Sequence, residues 1–330
     1  MLSRIAESMF WLGRYVERAD DTARILDAFM HRLLDDPATD EHAACRTLYA
    51  ILGVEPADKA EAATYDAAGA MDLLGFDTSN PSAVAGAWCA ARDNARGVSE
   101  VISTEAWECL NAAWHALAGQ RRAAGRLGPY AYLRFVRERA ALFCGLADST
   151  MSRDDGWLFL TAGRSLERVD MTARLLSAKM IASRNGPDWS TLLRAAGADE
   201  PHRRTVGWGR DPQSAARFLL LDQTFPRSVI HALGVAEQCL ARLDGDGQSH
   251  HGSQGYGGGQ LGLVGRGLPS ARRDVGRMRT MLEYADDRAL GAELTTYLKE
   301  LQEGCVTASR HIADEYFQYS AALVWQHRKD

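Results

Sequence analysis

Met9-Phe-Trp-Leu-Gly-Arg-Tyr-Val-Glu-Arg-Ala-Asp-Asp-Thr-Ala-Arg-Ile-Leu26 decides the fold, because the stretch returns. Gly163-Arg-Ser-Leu-Glu-Arg-Val-Asp-Met-Thr-Ala-Arg174 matches Gly13 to Arg24 at an offset of 150 residues, with eight of twelve positions identical. Charged side chains vary freely on ordinary helix surfaces, so a match that retains them is informative. It implies an internal duplication: one domain over 1–330, made of two related helical halves, about 1–150 and 151–330, each with a charged cluster.

On a helix, residues three and four apart share a face. Glu7, Phe10, Arg14, Glu17, Arg18 and Asp21 form one stripe of the first copy, and Ile5, Met9, Leu12, Val16, Ala19, Ala23, Leu26 and Met30 form the other. Taken alone, this is a core helix with a solvated charged back. The second copy differs. Trp157, Leu160, Met171 and Leu175 flank Arg164, Glu167 and Arg168, while Phe159, Leu166, Val169 and Leu176 line the other side. A helix apolar nearly all round is buried, so these three charges require partners. The charges of the first copy are the expected ones.

The remaining chain reads as helices separated by breakers. The first spans Ser3, as N-cap, to about Leu34. Others are expected at Ala43–Leu52, Ala57–Phe76, Ser82–Ile102, Thr104–Gln120 and Tyr130–Asp148. Ser152 is expected to cap the second charged helix, which runs to about Arg184. Beyond it lie a short helix at Thr191–Ala195, one at Gln213–Asp222, and one with Pro226 in its first turn ending near Leu243. The segment 245–267 holds ten glycines and reads as a flexible loop. Two long helices, Pro269–Ala285 and Arg288–Trp325, close the chain. No run of alternating β-branched residues is present, so the fold class is all-α, a helical bundle.

Composition narrows the function. A formal charge of −5 and a pI near 6.0 argue against non-specific nucleic-acid binding. No stretch approaches the ~20 apolar residues of a membrane span. The six cysteines form no Cys-x-x-Cys pair, and the N-terminus lacks signal-peptide character, so a reduced, cytoplasmic protein is expected. No Glu-x-x-His pair or P-loop occurs, and neither a metal site nor a cofactor is expected.

The candidate site residues are arginines and glutamates. Arg14 with Arg18, Arg164 with Arg168, and Arg92 with Arg96 are (i, i+4) pairs. A planar guanidinium suits carboxylate or phosphate. Glu17 and Glu167 each have arginine at i−3 and i+1, which favours the ionised form and makes either a poor general acid or base. They remain the catalytic candidates. Four arginines against two glutamates leave a positive surplus, so the expectation is an anion-accepting cleft between the halves. Asp20, Asp21 and Asp170 are the internal groups that would instead absorb the surplus.

Trp11-Leu12-Gly13-Arg14-Tyr15-Val16-Glu17-Arg18-Ala19-Asp20 resembles the opening block of alpha-E domain proteins, which are named for their helices and a Glu-Arg motif. Ala91 to Arg96 with Ser103 to Glu108, Met151 to Arg174, and Leu221-Asp222-Gln223-Thr224-Phe225-Pro226-Arg227-Ser228 resemble further blocks. The likeness extends over nearly the whole chain, apart from the glycine-rich segment. It implies partnership with a circularly permuted ATP-grasp protein, a carboxylate–amine ligase, and with a transglutaminase-like protein. Three roles follow: an accessory or substrate-binding subunit of an ATP-dependent amide-forming system, an enzyme using Glu17 or Glu167, or a purely structural scaffold.

Overall fold

The computed structural model describes residues 1–54, 65–181, 187–207, 212–250, 270–285 and 287–317. Among these, every regular element is helical and no strand occurs. The elements are α1 (Ser3–Asp35), α2 (Glu41–Leu52), α3 (Ala67–Ala70, widening to π geometry over Met71–Phe76), α4 (Val84–Arg96), α5 (Thr104–Leu127), α6 (Tyr130–Thr150) and α7 (Asp155–Ile181). Then come α8 (Trp189–Ala195), α9 (Asp199–Val206), α10 (Pro212–Leu221), α11 (Val229–His250), α12 (Ser270–Glu283) and α13 (Asp287–Tyr316). The all-α expectation holds.

Helices α1 and α7 form the centre. They lie side by side and run in the same direction: Gly13 faces Leu160, Gly163 faces Phe10, and Glu17 and Arg18 meet Arg168 and Glu167. Glycine makes the approach possible. A Cβ on Gly13 would stand 2.0 Å from the Leu160 carbonyl oxygen, and one on Gly163 would stand 2.1 Å from that of Phe10. Any larger residue would push the two backbones apart.

The surroundings of the two helices match pair by pair. Helix α1 is flanked by α4, α6 and α8, and α7 by α11, α13 and α2. Asp40 caps α2 through the Ala43 N–H, and Asp188 caps α8 through that of Thr191. Each helix ends on a left-handed glycine, Gly53 (φ 63°) and Gly197 (φ 66°). The sites where their Cβ atoms would lie abut Arg174 and Arg24 respectively, at 3.1 Å in both cases. The turns before α4 and α11 also agree. Asp77 Oδ1 accepts from Ser79 N–H, and Asp222 Oδ1 from Thr224 N–H. Thr22 Oγ1 then donates to the Ser82 carbonyl and Thr172 Oγ1 to that of Arg227, both at 3.5 Å.

Several boundaries differ from expectation. Leu2, not Ser3, is the N-cap of α1, and Asp154 rather than Ser152 accepts from the Trp157 N–H at the start of α7. Helix α4 stops at Arg96, and the chain continues as turns to Ile102. Helix α5 passes through Gly125 to Leu127, because only Gly128, at φ 86°, breaks the backbone. Residues 199–206, between two of the expected helices, form a further helix, α9. Pro226 sits in the turn before α11, not in its first turn. The glycine-rich segment is helical up to His250, and its remainder lies outside the described residues, as do 57–64, 182–184 and 318–325 of the expected helices.

The charged stripe of α1 is not solvated. Phe10, Arg14 and Glu17 are as buried as the opposite face, because α7 and α13 cover them. Trp88, Tyr132, Phe29 and Phe143 complete the core around the pair.

Candidate functional site

The Glu-Arg dipeptides of the two repeated stretches exchange partners. Arg168 Nε and Nη2 donate to the two oxygens of Glu17 at 2.7 and 2.8 Å. Arg18 Nε donates to Glu167 Oε1, and its Nη2 to Oε2 at 2.9 Å. Both contacts are bidentate, the strong geometry for guanidinium and carboxylate. Adjacent residues on one helix point too far apart to pair with each other, whereas a second helix in matched register satisfies both.

Each carboxylate gains a further arginine. Arg14 Nε donates to Glu167 Oε2 at 2.6 Å, and its Nη1 to Ser309 Oγ at 2.7 Å. Glu17 takes its extra partner from Arg227, whose Nη1 donates to Glu17 Oε1 and Asp21 Oδ1 at 2.8 Å each. Arg227 Nη2 donates to Asp20 Oδ2. Arg24 and Arg174 hold Asp20 and Asp170 one turn back, both at 2.9 Å.

Electrostatics follow from this packing. Glu167 is 0% exposed and Glu17 2%. Burial alone would raise both carboxyls, but Arg14 and Arg18 hold Glu167, and Arg168 and Arg227 hold Glu17, down at about 2. Asp21 behaves oppositely. Burial, assisted by Glu17 and Asp20, pushes it up to about 8 against the pull of Arg227. The oxygens of Glu17, Asp20 and Asp21 lie within 4.8 Å of one another, a spacing that a metal ion would accept. The Arg227 guanidinium donates to all three, so the chain supplies the cation itself.

The eight sequence candidates do not share one cleft. Arg14, Glu17, Arg18, Glu167 and Arg168 come together at the α1–α7 contact. Arg164 turns away to Asp148, at 3.7 Å, and the Cys144 thiol, both on α6. Arg92 is held by Asn111 at 2.9 Å and lies 4.1 Å from the centre of the Trp114 ring, on α5. Arg96, at the end of α4, is exposed. The three aspartates expected to absorb the surplus do not take hydrogen bonds from these arginines: Asp20 is held by Arg24 and Arg227, Asp21 by Arg227 and Asp170 by Arg174, while Arg164 finds its carboxylate in Asp148.

Sequence reading left Arg227 outside the cluster. A signal existed: Asp77-Thr-Ser-Asn-Pro-Ser82 and Asp222-Gln-Thr-Phe-Pro-Arg227 are the same turn, each leading into a helix that flanks a central one. Beside Arg227 a cavity of 290 Å³ opens, lined by Glu17, Asp20, Arg24, Cys144, Arg168 and Phe225 among others. Cys144 is half-buried, and burial pushes its thiol up despite Arg164, so it is not a ready thiolate.

A family model described as "a predicted alpha-helical domain with a conserved ER motif" matches residues 1–317. The chain belongs to the Alpha-E family. Glu17-Arg18 and Glu167-Arg168 are its two Glu-Arg sequences in the repeated stretch. An uncharacterized protein of Mycobacterium bovis and one of Mycobacterium tuberculosis are each 26% identical to it over 269 residues. That match takes in 74% of this Alpha-E chain but 30% of each relative, so the chain spans under a third of their length. No solved structure matches it. Among the described residues, no helix is long and apolar enough to cross a membrane.

Proposed function

We propose that this Alpha-E chain is a non-catalytic helical subunit of an ATP-dependent amide-forming system. Its exchanged Glu-Arg pairs lock two related halves together and present a binding surface to substrate or ligase. The observation that carries the reading is the state of Glu17 and Glu167. Each is buried, gripped by two arginines and held at about 2. A carboxylate so held is poorly suited to take up a proton near neutral pH, which supports a binding role over the enzymatic alternative. The pairwise agreement of contacts about α1 and α7 supports the duplication. Relatives that embed the domain in chains more than three times the matched length support a module that works beside others. The family resemblance supplies the class of partner, an ATP-grasp-type ligase and a transglutaminase-like protein.

The test is co-purification with the ATP-grasp neighbour, followed by ATP-consumption assays with candidate carboxylates and amines. The reading expects no turnover by the isolated chain and stimulated turnover by the pair. Turnover by the isolated chain that Glu17→Gln or Glu167→Gln abolishes would contradict it.

A further inference from the structure

The contacts that join α1 to α7 come in matched pairs, yet one corner breaks the match. Asp21 on α1 corresponds to Met171 on α7, 150 residues later. Arg227, five residues after Asp222, corresponds to Ser82, five residues after Asp77. Cys144, against Arg164, takes the place that Ser309 takes against Arg14. Pairs that serve the interlock alone have no need to differ. The differing residues Phe225, Arg227 and Cys144 all line the 290 Å³ cavity, and Asp21 lies behind it on Arg227.

The cavity wall has a definite charge pattern. Arg24, Arg168 and Arg227 face Glu17 and Asp20, three cations against two anions, and Asp21 behind Arg227, pushed up to about 8 by burial, adds little negative charge at neutral pH. One anionic group would balance the wall. A phosphate, with its higher charge, would meet the two carboxylates as well. Asp20 adds a second demand. It is only 8% exposed, and its Oδ1 has no hydrogen-bond partner. That oxygen is closed to solvent as the chain stands, so a ligand's donor reaches it when the Asp20 carboxylate turns toward the cavity. Val16, Ala140, Phe225 and Pro226 make the rest of the wall apolar. The volume is at the small end of ligand pockets, about 300 Å³.

We propose that this cavity binds a small zwitterion, the ammonium and carboxylate of an amino acid or a short peptide. The carboxylate sits against Arg24, Arg168 and Arg227, the ammonium against Asp20, and a small side chain against Phe225 and Pro226. This deepens the reading of the chain as a binding subunit and gives that binding a substrate class, the amine or acid component of an amide.

The experiment is isothermal titration calorimetry of the full chain with the common L-amino acids and Gly-Gly. Their N-acetyl and C-amide derivatives and inorganic phosphate are the comparison. The expected result is millimolar or tighter binding of at least one zwitterion, weakened at least about tenfold by acetylation and by amidation, with phosphate weaker still. Free amino acids against Gly-Gly distinguishes a monomer from a peptide. Ala141→Trp narrows the exposed mouth and Cys144→Trp fills the interior. Either variant, if it melts like the parent, is expected to lose binding. The proposal is overturned if no zwitterion binds, if acetylated or amidated forms bind equally, if phosphate binds best, or if a folded Ala141→Trp variant binds normally. A negative result here leaves co-purification with the ligase as a separate test of the accessory role.

Discussion

Arg168 grips both oxygens of Glu17 from the neighbouring helix, while its own sequence neighbour Glu167 is gripped in the same way by Arg18. Neither Glu-Arg dipeptide is self-contained. Each is half of a contact completed about 150 residues away. Removing one member therefore strands a buried charge on the other helix, which typically costs far more than the pair itself contributes.

Glu167→Ala leaves Arg14 and Arg18 facing each other without their shared carboxylate. The expected loss is about 3–5 kcal/mol of unfolding free energy. Urea denaturation followed by circular dichroism measures it, and an unchanged midpoint would count against the burial argument.

Gly13→Ala and Gly163→Ala each place a methyl 2.0–2.1 Å from a carbonyl oxygen of the other helix. Each is expected to destabilise by about 1–3 kcal/mol or more. Gly234→Ala, in α11, meets nothing within 4 Å. There, helix propensity should stabilise by up to about 1 kcal/mol. Thermal melts of the three variants give opposite signs if the close approach is correct.

Acid and base act on different carboxylates. Glu17 and Glu167 have folded values near 2 against an ordinary 4.5, so their contribution is complete above 4.5 and is lost as pH falls through about 2. Asp21 is raised from 3.8 to about 8, so its contribution is complete below 3.8 and is lost as pH rises through about 8. Asp21→Asn is expected to flatten the decline of stability between those two values. Equal slopes for variant and parent would contradict the assignment.

The mismatch between the two turns gives a coupled prediction. Arg227→Ser alone leaves Glu17, Asp20 and Asp21 crowded without their guanidinium. Arg227→Ser with Asp21→Met reproduces the Ser82 and Met171 arrangement. The double variant is expected to be more stable than Arg227→Ser alone, with a coupling of about 1–3 kcal/mol from denaturation curves.

The repeated stretch disclosed the all-α class, both central helices and the burial of the second charged cluster, because charge retained among apolar neighbours has few explanations. It did not disclose that the first cluster is buried too. The polar stripe of α1 looks like a solvated face until α7 and α13 are laid over it. The second arginine on Glu17 was equally hidden. It is Arg227, more than 200 residues away, arriving through a turn whose likeness to 77–82 rests on an aspartate and a proline. Arg92 and Arg164 carried the same (i, i+4) signal as the true members, but α5 and α6 claim them. Spacing along one helix cannot report which neighbour lies across from it.

A double-mutant cycle on Glu17 and Arg168 bears most directly on the interlock. The parent, Glu17→Ala, Arg168→Ala and the double variant are unfolded in urea at neutral pH. The account predicts a favourable coupling energy of about 1–3 kcal/mol, with the double variant losing less than the two single variants together. Additive losses, with no coupling between positions 17 and 168, would contradict it.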